Sequence, residues 1–196
     1  MPLMDSTSTT KLRYVIDTRA SQFTVQAFAG GLISAIAHSP KIAIRDWSGE
    51  ATFDSDTLQA GSLRIKVKPD SLEVLDELSE RDRHELHRVM KQEVLESTKF
   101  PDIIFESFEI KAEAVKADTY RVTVQGMLKL HGETEQHRFS AQVSIGVDSA
   151  RAYGEFTLLQ SHYGIRIASI AGGTMKLLDE LKFTFYVVAR KQSEKQ

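Results

Sequence analysis

The chain has 196 residues, a length suited to one domain, and 41 % of them are hydrophobic, enough for a sizeable core. Lys plus Arg number 25 against 27 for Asp plus Glu, and this balance near −2 does not point to nucleic acid or an anionic membrane as a partner. No cysteine is present, which excludes disulfides, thiolate nucleophiles and cysteine-type zinc sites.

Residues 1–12, MPLMDSTSTTKL, are small and polar and read as a frayed terminus; residues 191–196 read the same way. Between them, 13–190 form one domain without a linker or internal repeat. The apolar run Phe23–Ala37 has a signal-peptide outline, with Lys11, Arg13 and Arg19 before it and an A-x-A-like end. Its late start, Gln22 at its edge and Gln26 within it, and Asp17 in the basic region argue against that role. Its glycines also leave it too broken to span a bilayer. The expectation is a cytoplasmic protein with no stable membrane insertion.

Most of the chain alternates with period two, the mark of half-buried strands. Leu63, Ile65 and Val67 oppose Arg64, Lys66 and Lys68. In IFESFEIKAEA the apolar set is Ile104, Phe108, Ile110 and Ala112, with Glu106 out of phase. Val122, Val124, Leu128 and Leu130 follow, with Gly126 in phase. Phe139, Ala141, Val143, Ile145 and Val147 come next, then Ala152, Gly154, Phe156 and Leu158, and finally Phe183, Phe185, Val187 and Ala189. Turn signals SGE, QAGS, KADT, HGET and VDSA separate these runs. One apolar and one polar face per strand describes antiparallel sheet wetted on one side, which must fold over or close on itself. About eight strands are expected, near the number at which a closed barrel can hold one small ligand.

One segment is helical in pattern. Ser79 with Asp82 three residues on forms a capping box, and Leu86, Val89, Met90 and Val94 make an apolar stripe. At about 100° per residue, His84 points to water and His87 lies on the flank of that stripe. HELH is one residue short of the H-E-x-x-H spacing that sets two zinc ligands on one helix face, so RDRHELH reads as a solvated helix face and no metal is expected there.

The order of segments resembles the YceI-like family, lipocalin-like antiparallel barrels described as binding polyisoprenoid or other long-chain lipids. The resemblance rests on YVIDTRASQFTV (Tyr14, Ile16, Asp17, Ser21, Phe23), WSGEATFD (Gly49, Phe53, Asp54) and RDRHEL (Arg81, Asp82, His84). It continues through FPDIIFESFEI (Phe100, Pro101, Ile103, Phe105, Ser107), GMLKLHGETEQH (Gly126, Leu128, Leu130, Gly132, Thr134) and LLQSHYGI (Tyr163, Gly164, Ile165). Ala20 stands where the family usually has a histidine, and the arginine of its R-x-D-[FY]-G-I element is replaced around Leu159 to His162. The resemblance implies that the Arg81–His84 element begins a helical crossover between barrel strands, fixed by Arg81 and Asp82.

The function so implied is non-enzymatic binding of an isoprenoid, quinone-like or fatty-acyl molecule inside the barrel, with no cofactor. The expected lining is Ile65, Val67, Phe108, Ile110, Leu128, Leu130, Phe156, Tyr163, Phe183 and Phe185, an apolar wall that needs few polar groups to orient a chain-like ligand. His38, Arg45, His131, His162 or Tyr163 are candidates to meet a head group at the mouth. One alternative is a packed barrel serving as a homodimeric interaction or stress-linked module. Another is a histidine-dependent metal enzyme using His131 and His137, or His162 with Tyr163. The chain has no nucleophile elbow, phosphate loop or carboxylate pair to support catalysis.

Overall fold

A computed structural model describes residues 11–30, 39–54, 61–167, 169–170 and 175–192. The strands in chain order are β1 (Lys11–Ile16), β2 (Gln22–Gly30), β3 (Lys41–Ile44), β4 (Trp47–Asp54), β5 (Ser62–Val67) and β6 (Leu72–Val74). They continue with β7 (Ile103–Lys116), β8 (Thr119–Leu130), β9 (Glu133–Ile145), β10 (Ser149–Leu159), β11 (Ser169–Ile170) and β12 (Met175–Gln192). The hydrogen-bonded order runs β1-β4-β5-β7-β8-β9-β10-β12, and β12 pairs back to β1, so the sheet closes as an antiparallel barrel of eight staves. The sheet edges that would otherwise be free are thereby paired.

Three staves are broken in two. β12 pairs with β2 through its first half and with β1 through its end, so β1 and β2 are successive pieces of one stave. β3 with β4 and β5 with β6 are split likewise. At the first break Asp17 caps a 3-10 turn, Thr18–Ala20. The Arg190 guanidinium beside Asp17 holds its carboxyl below the usual carboxylate range. Ser21 bridges the gap by donating to the Asp17 carbonyl at 2.7 Å and accepting from the Val188 N–H at 2.9 Å.

Pairing extends beyond the expected domain limits at both ends. Lys11 and Leu12 pair with Asp54 and Phe53, and Lys191 and Gln192 pair with Tyr14 and Arg13.

The hairpin between β8 and β9 has only His131 and Gly132 in its loop, at φ 54° and 85°. Two successive left-handed residues are what a two-residue turn needs to match strand twist. At the other end of the barrel Val147 is 87 % exposed: β9 stops at Ile145, and Val147 belongs to the turn rather than to the inward set.

Among the described residues there is one α-helix, α1 (Glu80–Val89), which continues as a π-helical turn, Met90–Val94. Ser79 Oγ accepts from the Asp82 N–H at 3.1 Å and donates to the Asp82 carboxylate at 2.7 Å, the predicted cap. The crossover is anchored by Arg83, not by Arg81 and Asp82. The Arg83 guanidinium donates to the carbonyls of Val74 at 2.8 Å and Asp76 at 3.1 Å, while Arg81 is exposed and Asp82 serves the cap. His84 is exposed. His87 is half-buried and its Nε2 accepts from the Val74 N–H at 3.3 Å. Among the described residues no helix is long and apolar enough to cross a membrane.

Candidate functional site

The inward faces of the staves enclose a cavity of about 290 Å³ running the length of the barrel, from Ala150 and Ala189 at one end to Leu86 and Met90 under the helix at the other. The predicted stripe of α1 forms its lid, as Leu86, Val89, Met90 and Val94 all line it. The π-helical turn widens the last helical turn so that Met90 and Leu95, joined by the Leu95 N–H to Met90 carbonyl bond at 2.9 Å, both face inward.

Of the ten expected lining residues, Ile65, Val67, Ile110, Leu128, Leu130, Phe156, Phe183 and Phe185 line the cavity. Phe108 does not; it is 58 % exposed on the outer surface. A bulge between Ser107 and Glu109 inserts one extra residue into β7 against β8. Strict alternation therefore fails there: upstream of the bulge the inward residues are Ile103 and Phe105 rather than Ile104, and Phe108 at the bulge itself turns outward. Tyr163 is 2 % exposed and packs in the core beside the cavity rather than along its wall. Burial, and then the Glu135 charge, push its hydroxyl pKa up.

Among the described residues no aspartate, glutamate, lysine or arginine lines the cavity, and of these residues Tyr14, Trp47, His137 and Gln160 alone bring polar side-chain atoms other than sulfur. The Gln160 amide donates to the Leu178 carbonyl at 3.0 Å. The wall formed by β2, β9, β10 and β12 is aromatic. Phe156 and Phe183 stack with centroids 4.7 Å apart, Phe139 lies 5.5 Å from Phe156, and Phe23 meets Trp47 edge-on at 5.5 Å. Close approach of these rings to the backbone requires glycine. A Cβ on Gly154 would lie 2.7 Å from the Phe185 ring, and one on Gly126 would lie 2.5 Å from the Phe105 ring.

The head-group candidates are scattered. Arg45 is spent on an exposed ion pair with Glu73 at 2.6 Å. His131 Nδ1 donates to the Tyr163 carbonyl at 3.1 Å, and its Nε2 lies 2.8 Å from the Glu96 carboxylate, with the ring against Phe100. It clamps the β8–β9 hairpin, the helix exit and the Gln160–Tyr163 turn together, which is a structural task. His162 is exposed. His38 lies outside the described residues. Among the described residues no group of three metal-ligating side chains converges.

Residues not foreseen as lining include Trp47, Phe105, Phe139 and His137. Phe139 stood in the alternating set and His137 is in phase with it, two residues earlier, so both were within reach of the period-two signal. Phe105 was hidden by the bulge, and nothing local marks Trp47.

The YceI-like domain family model matches residues 14–189. No curated protein matches the chain in sequence. Among solved structures, BcnA of Burkholderia cenocepacia is 18 % identical with a TM-score of 0.69, over 88 % of this chain and 98 % of that one. A polyisoprenoid binding domain from Saccharophagus degradans, implicated in plant cell wall breakdown, is 10 % identical with a TM-score of 0.66, over 91 % of this chain and 98 % of that one. The Campylobacter jejuni YCEI protein is 16 % identical with a TM-score of 0.58, over 78 % and 85 %. At these identities the likeness is one of fold.

Proposed function

Since the chain belongs to the YceI-like family, we propose that its barrel binds one long-chain apolar molecule, isoprenoid, quinone-like or fatty-acyl in type, and holds it without chemical change. The observation that carries this reading is the interior: about 290 Å³ with no charged side chain among the described residues of its walls. That volume lies near the lower edge of ordinary small-molecule sites. A cavity so lined does not attract water. Left empty, at roughly 24 cal/mol per Å³, it would cost about 7 kcal/mol, on the order of a whole domain's net stability. An apolar chain filling it recovers the missing dispersion contacts. The similar Saccharophagus degradans domain is a polyisoprenoid binding domain, which supports the same ligand class here. Ile65, Val67, Ile110, Leu128, Leu130, Phe156, Phe183 and Phe185 are the residues we assign to contact with the chain.

Trp47, the single tryptophan, lies on the cavity wall and reports on occupancy. Titration of the delipidated protein with farnesol is expected to change its fluorescence saturably at one molecule per chain. Ligand at a hundred times Kd is expected to add about 2.7 kcal/mol of stability. No fluorescence change and no thermal shift with farnesol or with a saturated fatty acid would contradict the reading.

A further inference from the structure

The barrel wall is unzipped along one seam. β9 runs from Glu133 to Ile145 and β10 from Ser149 to Leu159, yet they pair at only four positions, from Ala150 with Ile145 to Tyr153 with Gln142. On its other side β9 pairs with β8 as far as Glu133, and β10 pairs with β12 as far as Leu159. The helix-end half of the seam is therefore flanked by fully bonded strands while it lacks ladder bonds of its own. Strand backbone left in this way needs other hydrogen-bond partners.

Rings fill the inner side of the seam. The His137 ring stands edge-on to Phe156 at 5.0 Å, with Phe139 beside them. The parted strands border a depression whose lining includes the polar side chains of Glu135, Gln136, Thr157, His162 and Glu180 beside the buried Leu158 and Tyr163. His137 lines both this depression and the main cavity. Its Nε2 is buried and has no hydrogen-bond partner among the described residues, an unusual state for an imidazole nitrogen.

We propose that the polar end of the bound molecule sits in the β9–β10 seam with His137 Nε2 as its hydrogen-bond partner, and that this end is a neutral hydroxyl or carbonyl. This rests on the apolar-chain reading of the cavity given above. A neutral imidazole serves either group: it accepts from a hydroxyl or donates to a carbonyl, according to tautomer. Burial pushes the His137 pKa down and so keeps the ring neutral. A phosphate or carboxylate end would find no counter-charge there and would face the Glu135 and Glu180 carboxylates. The seam then accounts for how a molecule with one polar end is accommodated in a barrel whose described lining carries no charge.

The test uses the full chain and three probes of the same carbon skeleton: farnesol, farnesene and farnesyl phosphate, each titrated by Trp47 fluorescence. His137→Phe keeps a ring in the aromatic cluster and removes the hydrogen bond; His137→Gln keeps a polar partner. His137→Phe is expected to weaken farnesol by roughly five- to tenfold and leave farnesene unchanged, with His137→Gln close to the parent. Farnesyl phosphate is expected to bind the parent more weakly than farnesol. Equal effects of His137→Phe on farnesol and farnesene, or no effect on either, would overturn the role of His137 while leaving the cavity reading standing. Tighter binding of farnesyl phosphate than farnesol would overturn the neutral end. Failure of the parent to bind both farnesol and farnesene would remove the cavity reading itself and the seam proposal with it.

Discussion

Phe108 and Ile110 stand two residues apart on β7 and face opposite sides of the barrel wall: the first is 58 % exposed, the second 7 %. Regular alternation would put them on one face. The bulge at Ser107–Glu109 turns Phe108 and Glu109 outward together and restores Ile110 to the interior. Phe108→Ser is expected to change stability by no more than about 0.5 kcal/mol and to leave farnesol affinity unaltered. Ile110→Ala is expected to cost about 2 kcal/mol or more and to weaken farnesol. Chemical denaturation of the two variants measures the contrast; equal losses would contradict the placement.

Gly126 and Phe105 make a second such pair across β7 and β8. The Phe105 ring lies where a side chain at 126 would start, and the Glu106 carbonyl blocks relief on the backbone side. Gly126→Ala is expected to destabilise by about 1–3 kcal/mol and to drive the ring into the cavity, weakening farnesol binding. Unchanged affinity with full stability would mean that the strands can give way.

His131 combines a left-handed backbone with two ring partners and a half-buried aromatic neighbour, Phe100. His131→Asn tolerates the backbone but loses the clamp, at an expected cost of about 1–3 kcal/mol. His131→Val loses the clamp and adds roughly 1–2 kcal/mol of backbone strain. Thermal unfolding of both variants is expected to rank parent above Asn above Val.

His137 also predicts how stability responds to acid. Its pKa in the folded chain is depressed by burial, so the unfolded chain takes up its proton first as pH falls below about 6.5. Proton uptake by the unfolded state lowers stability, and the loss deepens as pH drops toward the folded-state value. Above that window the residue contributes no pH dependence. The parent is therefore expected to lose more stability than His137→Phe between pH 7.5 and pH 5, with the other histidines cancelling in the comparison. An identical pH response in the two proteins would contradict a buried neutral imidazole.

The barrel was legible in the sequence wherever one strand ran without interruption. β8, β10 and the second half of β12 alternate as written, so Leu128, Phe156 and Phe185 fall inward as read. Strand breaks and bulges were not legible. The extra residue at Phe108 leaves no mark in composition, because an aromatic is welcome on either face of a strand. The division of three staves into β1/β2, β3/β4 and β5/β6 depends on partner strands far along the chain, such as Val188 opposite Ser21. The helix stripe was readable from Leu86 to Val94, whereas the choice of Arg83 over Arg81 as anchor depends on where the Val74 carbonyl lies in space. The seam beside His137 is a property of a pairing that stops, and a single strand's sequence carries no record of where its neighbour parts from it.

Native mass spectrometry of the protein purified without detergent, beside the same sample denatured, shows whether the interior holds an apolar chain. The expected result is an excess mass of one long-chain, singly polar molecule per chain that disappears on denaturation and returns on addition of farnesol. The bare chain mass in both samples, with no farnesol adduct formed, would contradict it.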